Sequence, residues 1–140
     1  MEVVSACLAS IACRYDGTAQ EAPEIVAAVR QGKALPLCPE MLGGLPAPRQ
    51  AAEIKEGCVV TAEGIDLTEP FQKGAEIATQ IAILAGCRQA VLKARSPSCG
   101  CGRIYDGTFS GRLVDGDGVW AQALKKAGIS ILPAETVYSL

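Results

Sequence analysis

The chain has 140 residues, a formal charge of −2, and 49% hydrophobic against 20% charged residues. Such a chain is long enough for a genuine core without staples, is globular in composition, and has no basic surplus for the phosphates of a nucleic acid, so no nucleic-acid partner is expected. Histidine is absent while cysteine occurs seven times, which excludes Cys₂His₂ zinc sites, Cys–His nucleophile pairs and imidazole acid–base chemistry.

Met1-Glu2-Val3-Val4-Ser5 has no basic region before its apolar stretch and no cleavage pattern. No run is long enough to span a bilayer. A cytoplasmic setting is expected, where thiols stay reduced, and a disulfide framework is a poor reading of an odd number of cysteines.

Val3–Val4 opens a short strand that ends at Ser5-Ala6-Cys7. A loop through Cys13 and Asp16-Gly17 leads to a helix begun by Pro23-Glu24 and stopped at Gly32. Ala34 to Cys38 is a second strand, its Pro36 marking a start or an edge. Gly43 to Arg49 is a loop, because paired glycine and alternating proline continue neither a helix nor a central strand. Ile54 to Thr61 reads as a hairpin or excursion.

Thr68 is expected to cap a long helix, with Phe71, Ala75, Ala78, Ala82 and Ala85 on its buried stripe and Gly86 at its end. Gln89 to Lys93 is a third strand, running into Ser96-Pro97-Ser98-Cys99. A Gly-rich stretch follows from Gly100 to Gly118. Val119 to Ala127 is a last helix, with Val119, Ala123 and Ala127 on one stripe, and Ile129 to Leu132 a last strand. The alternation predicts an α/β fold: a single domain over residues 1–140, a Rossmann-like three-layer sandwich with a mostly parallel sheet.

In open α/β sheets ligands bind beyond the carboxyl ends of the strands. Cys7, Cys38 and Cys99 each follow a predicted strand, so they are expected to converge on one cofactor. Thiolate is a soft ligand that selects iron–sulfur clusters, zinc or copper(I). Cys13 either completes a four-cysteine site or stands free as a reactive thiol, with Arg14 beside it to favour the thiolate. Cys58 and Cys87 read as small buried hydrophobes, and Cys101 as a loop cysteine.

Glu40 follows Cys38 by two residues and is the candidate base, since a carboxylate must replace the missing imidazole. Asp16 and Asp106 are the fallback carboxylates. Ser96, three residues before Cys99, is a candidate catalytic hydroxyl, with a plain turn role as the alternative. Ser98 and Tyr105 are expected to touch substrate. Tyr-Asp-Gly occurs at both Tyr15 and Tyr105, a turn signature each time. Neither a dinucleotide fingerprint nor a phosphate-cradling lysine loop is present.

The motifs Ser-Ala-Cys-Leu, Cys-Arg-Tyr-Asp-Gly, Cys-Pro-Glu with Leu-Gly-Gly-Leu-Pro-x-Pro-Arg, Ser-Pro-Ser-Cys-Gly and Ile-Tyr-Asp-Gly-Thr-Phe-Ser-Gly resemble, from Val3 to about Glu135, a bacterial family of initially unassigned function. Its characterised members are thiouracil desulfidases. The resemblance implies a [4Fe–4S] cluster held by three cysteines, here Cys7, Cys38 and Cys99, whose open iron takes sulfur from a thiocarbonyl without net redox change. It implies catalytic roles for Glu40 and Ser96, and leaves Cys13 as either a ligand or a neighbouring thiol. The substrate would be a thiolated pyrimidine or a similar small molecule. Two other readings stay open: a non-catalytic metal-binding module, and a sulfur carrier using Cys13 as nucleophile.

Overall fold

Val3 and Val4 are fully buried, on opposite faces of one strand. A strand buried on both sides is the mark of a parallel sheet between two helical layers. In the computed structural model, which describes residues 1–134, this strand is β1 (Glu2–Ser5). It is flanked by β2 (Ala34–Leu37) and β5 (Gln89–Leu92), and β8 (Ser130–Pro133) lies beyond β5. All pairings are parallel, with Val3 opposite Leu35 and Ala90. Pro36, lacking an N–H, sits in β2 at the sheet edge as its chemistry requires.

One face packs Val3, Ala90 and Leu92 against α3 (Thr68–Leu84) and α4 (Val119–Lys126). The other packs Val4, Ala34 and Val91 against Ile25 of α1 (Pro23–Arg30) and a short 3-10 turn, Ala6–Ala9. These are the three layers expected. The sheet accounts for every strand foreseen in it, and residues 135–140 of the expected domain lie outside the described residues. Among the described residues no helix is long and apolar enough to cross a membrane.

Two antiparallel hairpins stand apart from the sheet. β3 (Ala52–Lys55) and β4 (Cys58–Thr61) are joined by Glu56-Gly57, both at positive φ, the twist that a two-residue hairpin loop needs. β6 (Arg103–Tyr105) and β7 (Leu113–Asp115) form the second, inside the Gly-rich stretch read as irregular.

Several local expectations are corrected. Thr68 is the first helical residue and not the cap; its hydroxyl accepts from the Val59 N–H at 2.9 Å, while Asp66 accepts from the Thr68 N–H at 2.8 Å. Ala85 is exposed because α3 has ended, and Gly74 and Thr79 join the buried stripe. In α4 the bulkier Trp120 and Leu124 take the core, with Ala121, leaving Ala127 exposed. Cys58 is exposed, because the β4 alternation turns Val59 and Thr61 inward; Cys87 is buried as expected.

A short helix, α2 (Pro39–Leu42), starts directly after Cys38 and packs on α3, backbone to backbone at Gly43 and Gly74. A Cβ on Gly74 would stand 1.8 Å from the Pro39 carbonyl oxygen, and one on Gly43 2.0 Å from that of Pro70. Backbone against backbone is a contact only glycine permits.

Candidate functional site

Strand ends and turn chemistry deliver the cysteines. After β1 the chain enters the 3-10 turn that carries Cys7, which ends at Ser10 in the left-handed region. The loop beyond folds back on that turn: Gln20 N donates to Cys7 O and Ala22 N to Leu8 O, both at 2.9 Å. This returns Cys13 to a 3% exposed position beside Cys7. Cys38 occupies the N-cap position of α2, with Pro39 at the first helical position, where its missing N–H costs nothing. Its Sγ lies 3.9 Å from the Cys13 carbonyl oxygen.

Beyond β5 the Ser96 hydroxyl accepts from the N–H groups of Ser98 and Cys99, at 3.0 and 2.9 Å. It thereby shapes the turn that presents Cys99. Carbonyls of Pro97 and Ser98 in turn accept from Val119, Trp120 and Ala121, satisfying the first N–H groups of α4.

Cys7, Cys13, Cys38 and Cys99 line one cavity of about 590 Å³, together with Glu40 and Ser96. Tyr15, Tyr105 and Phe109 supply aromatic wall, and Arg14, Lys93 and Arg95 basic groups. The fallback carboxylates Asp16 and Asp106 are absent from this lining, and so is Ser98. It is 1% exposed beneath the start of α4, and its hydroxyl has no partner among the described residues. The turn that faces Cys99 to the cavity directs Ser98 away from it.

The cavity disfavours bare thiolates. Burial pushes the Cys99 thiol well up; the Ser5 hydroxyl opposes this, and the charges of Glu40 and Cys38 add to it. Cys38 is raised by its hydrogen bond with Cys13 and then by burial. For Cys13 the hydrogen bond with Cys38 pulls down, but that with Cys7, burial and the Cys7 charge outweigh it and leave the thiol at about 11. The expected help from Arg14 is not found. Its guanidinium turns to Thr18 and Asp16 and lies over the Tyr15 ring, and the cation acting on Cys13 is Arg49.

Such thiols become ligands when a cation ionises them. Among the described residues no three Cys, Asp or Glu groups stand as a single metal ion requires. Four sulfurs around a shared space, with no imidazole, suit a polynuclear iron–sulfur group, which is wider than one ion.

Glu40 is the carboxylate on the cavity with a cationic partner: Arg49 Nη2 donates to its Oε1 at 3.1 Å. The fallback carboxylates are committed elsewhere. Asp16 and Asp106 each accept from the backbone and hydroxyl of the threonine two residues on, which holds both carboxyls below the usual range. The repeated Tyr-Asp-Gly is thus the same turn built twice, each placing its tyrosine on the cavity. Sequence reasoning missed Arg49, visible only as the end of a Pro-rich loop. It also missed Glu53, which accepts from Gly107 N and Phe109 N and fastens the β6–β7 loop to β3.

A thiol-lined cavity at the carboxyl edge of a parallel sheet, walled by a carboxylate and a hydroxyl, defines a protein built around a thiolate-held cofactor. The family model for 2-thiouracil desulfurase matches residues 3–136, and the chain belongs to that family. It is 42% identical over 142 residues to the uncharacterized protein YbbK of Bacillus subtilis (strain 168), covering 94% of each chain. Among solved structures it is similar to a [4Fe–4S]-dependent thiouracil desulfidase, TudS, at 41% identity and a TM-score of 0.92, over 97% of this chain and 91% of that one.

Proposed function

We propose that this chain is an iron–sulfur-dependent desulfidase that hydrolyses the carbon–sulfur bond of a small thiocarbonyl compound such as thiouracil. The observation that carries the reading is the meeting of four thiols with Glu40 and Ser96 on one cavity. Cys7, Cys38 and Cys99 would hold a [4Fe–4S] cluster. Bound there with one iron free of protein ligand, the cluster supplies a Lewis acid for a soft thiocarbonyl sulfur.

The chain's own groups do the rest. Glu40 orients the attacking water and takes its proton, since no imidazole exists to do so. Ser96, whose oxygen already accepts two N–H bonds, donates its proton to charge that develops on the ring. Tyr105 and Phe109 flank a planar substrate. Cys13, whose thiol is pushed up to about 11 in the apoprotein, stands beside the ligand sulfurs. Seven free cysteines suit the reducing cytoplasm.

The test is anaerobic single-turnover release of sulfide from 4-thiouracil, with iron determined on the same samples. Glu40→Gln should keep its iron and lose roughly 10²–10⁴-fold in rate. Turnover at the wild-type rate would make the carboxylate structural.

A further inference from the structure

Arg49 ends the Leu-Pro-Ala-Pro-Arg loop, a segment to which the reaction so far assigns nothing. Its side chain is 7% exposed and that of Glu40 15%. Nη2 donates to Glu40 Oε1 at 3.1 Å and to the Cys13 carbonyl at 3.0 Å. Nε donates to the same Oε1 at 3.4 Å, and Nη1 to the Pro46 carbonyl at 2.9 Å. The Arg49 backbone N–H is held by the Tyr15 carbonyl at 2.6 Å. A planar fork bonded on all sides is a fixed object.

Both bonds to Glu40 fall on one oxygen. Among the described residues Oε2 has no hydrogen-bond partner, and Glu40 lines the cavity. A free glutamate side chain samples many rotamers; one with Oε1 pinned offers the other oxygen from a narrow range of positions. We propose that Arg49 is the positioning residue of this site, fixing Oε1 of Glu40 so that Oε2 meets the attacking water. It completes the pattern in which a base is oriented by a third group. Lysine cannot replace it, because one ammonium cannot reach Oε1 and two carbonyls from a single rigid plane. The proposal rests on Glu40 being the base.

The experiment is a double-mutant cycle on the iron-loaded enzyme. Arg49→Met and Arg49→Lys are measured alone and with Glu40→Gln, reading iron content, kcat and KM for 4-thiouracil. Each Arg49 variant should keep its iron and lose roughly 10²-fold in kcat, the cost of a misplaced group, with KM unchanged. In the Glu40→Gln background the same substitutions should cost no more than about twofold, because they act through a carboxylate already gone. An equal loss in both backgrounds would overturn the proposal, as would loss of iron from the Lys variant, which would assign Arg49 to building the cavity. If Arg49→Met fails to fold, Arg49→Lys decides by the same readings. Wild-type turnover by Glu40→Gln alone would refute the base assignment itself and so remove the proposal's foundation, a result read without any Arg49 variant.

Discussion

Gly74→Ala tests whether the backbone crossing of α2 and α3 sets the site. The added Cβ would lie 1.8 Å from the Pro39 carbonyl oxygen and 2.9 Å from Gly43 N, whereas real Cβ contacts essentially never fall under 3.0 Å. From 1.8 to 3.0 Å, α2 must recede by at least 1.2 Å. Both clashing atoms are backbone, so no side chain can swing aside. Alanine gains about 1 kcal/mol of helix propensity over glycine, but overpacking of this kind costs about 1–3 kcal/mol. The net effect is expected to be destabilising, by up to about 2 kcal/mol. The site should suffer more than the fold, since the displaced Pro39 lies between Cys38 and Glu40. An error of about an ångström in a reacting group can cost roughly 10²-fold. Urea denaturation of the apoprotein, iron content and sulfide release would be measured on one preparation. A variant with wild-type stability and activity would refute the idea that this contact locates Cys38 and Glu40.

Other outcomes follow from the same geometry. Cys58→Ala, at an exposed position, should alter neither iron content nor stability, and Cys87→Ala should keep its iron at a cost of about 1 kcal/mol; iron loss in either would mean the ligands are misassigned. Tyr105→Ala should weaken substrate binding by about 1–3 kcal/mol, as loss of a stacking ring does, with the cluster intact; an unchanged KM would remove Tyr105 from the substrate wall. In the apoprotein Cys13 ionises near 11 instead of its ordinary 9.0. A raised pKa gives stability that is complete below the unfolded value and is lost as pH climbs through the folded one. The apoprotein's Tm should therefore drop between pH 9 and about pH 11, and a flat profile across that window would contradict the buried-thiol assignment.

The strand-end cysteines were legible because Val3–Val4, Ala34–Leu37 and Gln89–Leu92 are short apolar runs closed by turn-formers, and a parallel sheet carries all such ends to one edge. What stayed hidden depends on which face a segment buries or on partners distant in sequence. Cys58 looked apolar beside Val59 and Val60, yet strand alternation exposes it. The β6–β7 strands are three residues each and largely exposed, too short for a period to register. Ser98 shares a turn with Cys99, and only the packing of α4 on that turn shows the two side chains parting. Arg49 meets the Cys13 carbonyl across 36 positions of chain, a contact that no local pattern announces.

The central claim is that Cys7, Cys38 and Cys99 hold the cluster while Cys13 stands beside it. The most direct measurement is iron and sulfide content after anaerobic reconstitution of the four single Cys→Ala variants, alongside single-turnover desulfuration of 4-thiouracil. Loss of cluster and activity together at Cys7, Cys38 and Cys99, with cluster retained in Cys13→Ala, is the predicted result. A full cluster in any of the first three variants, or its loss in Cys13→Ala, would contradict it.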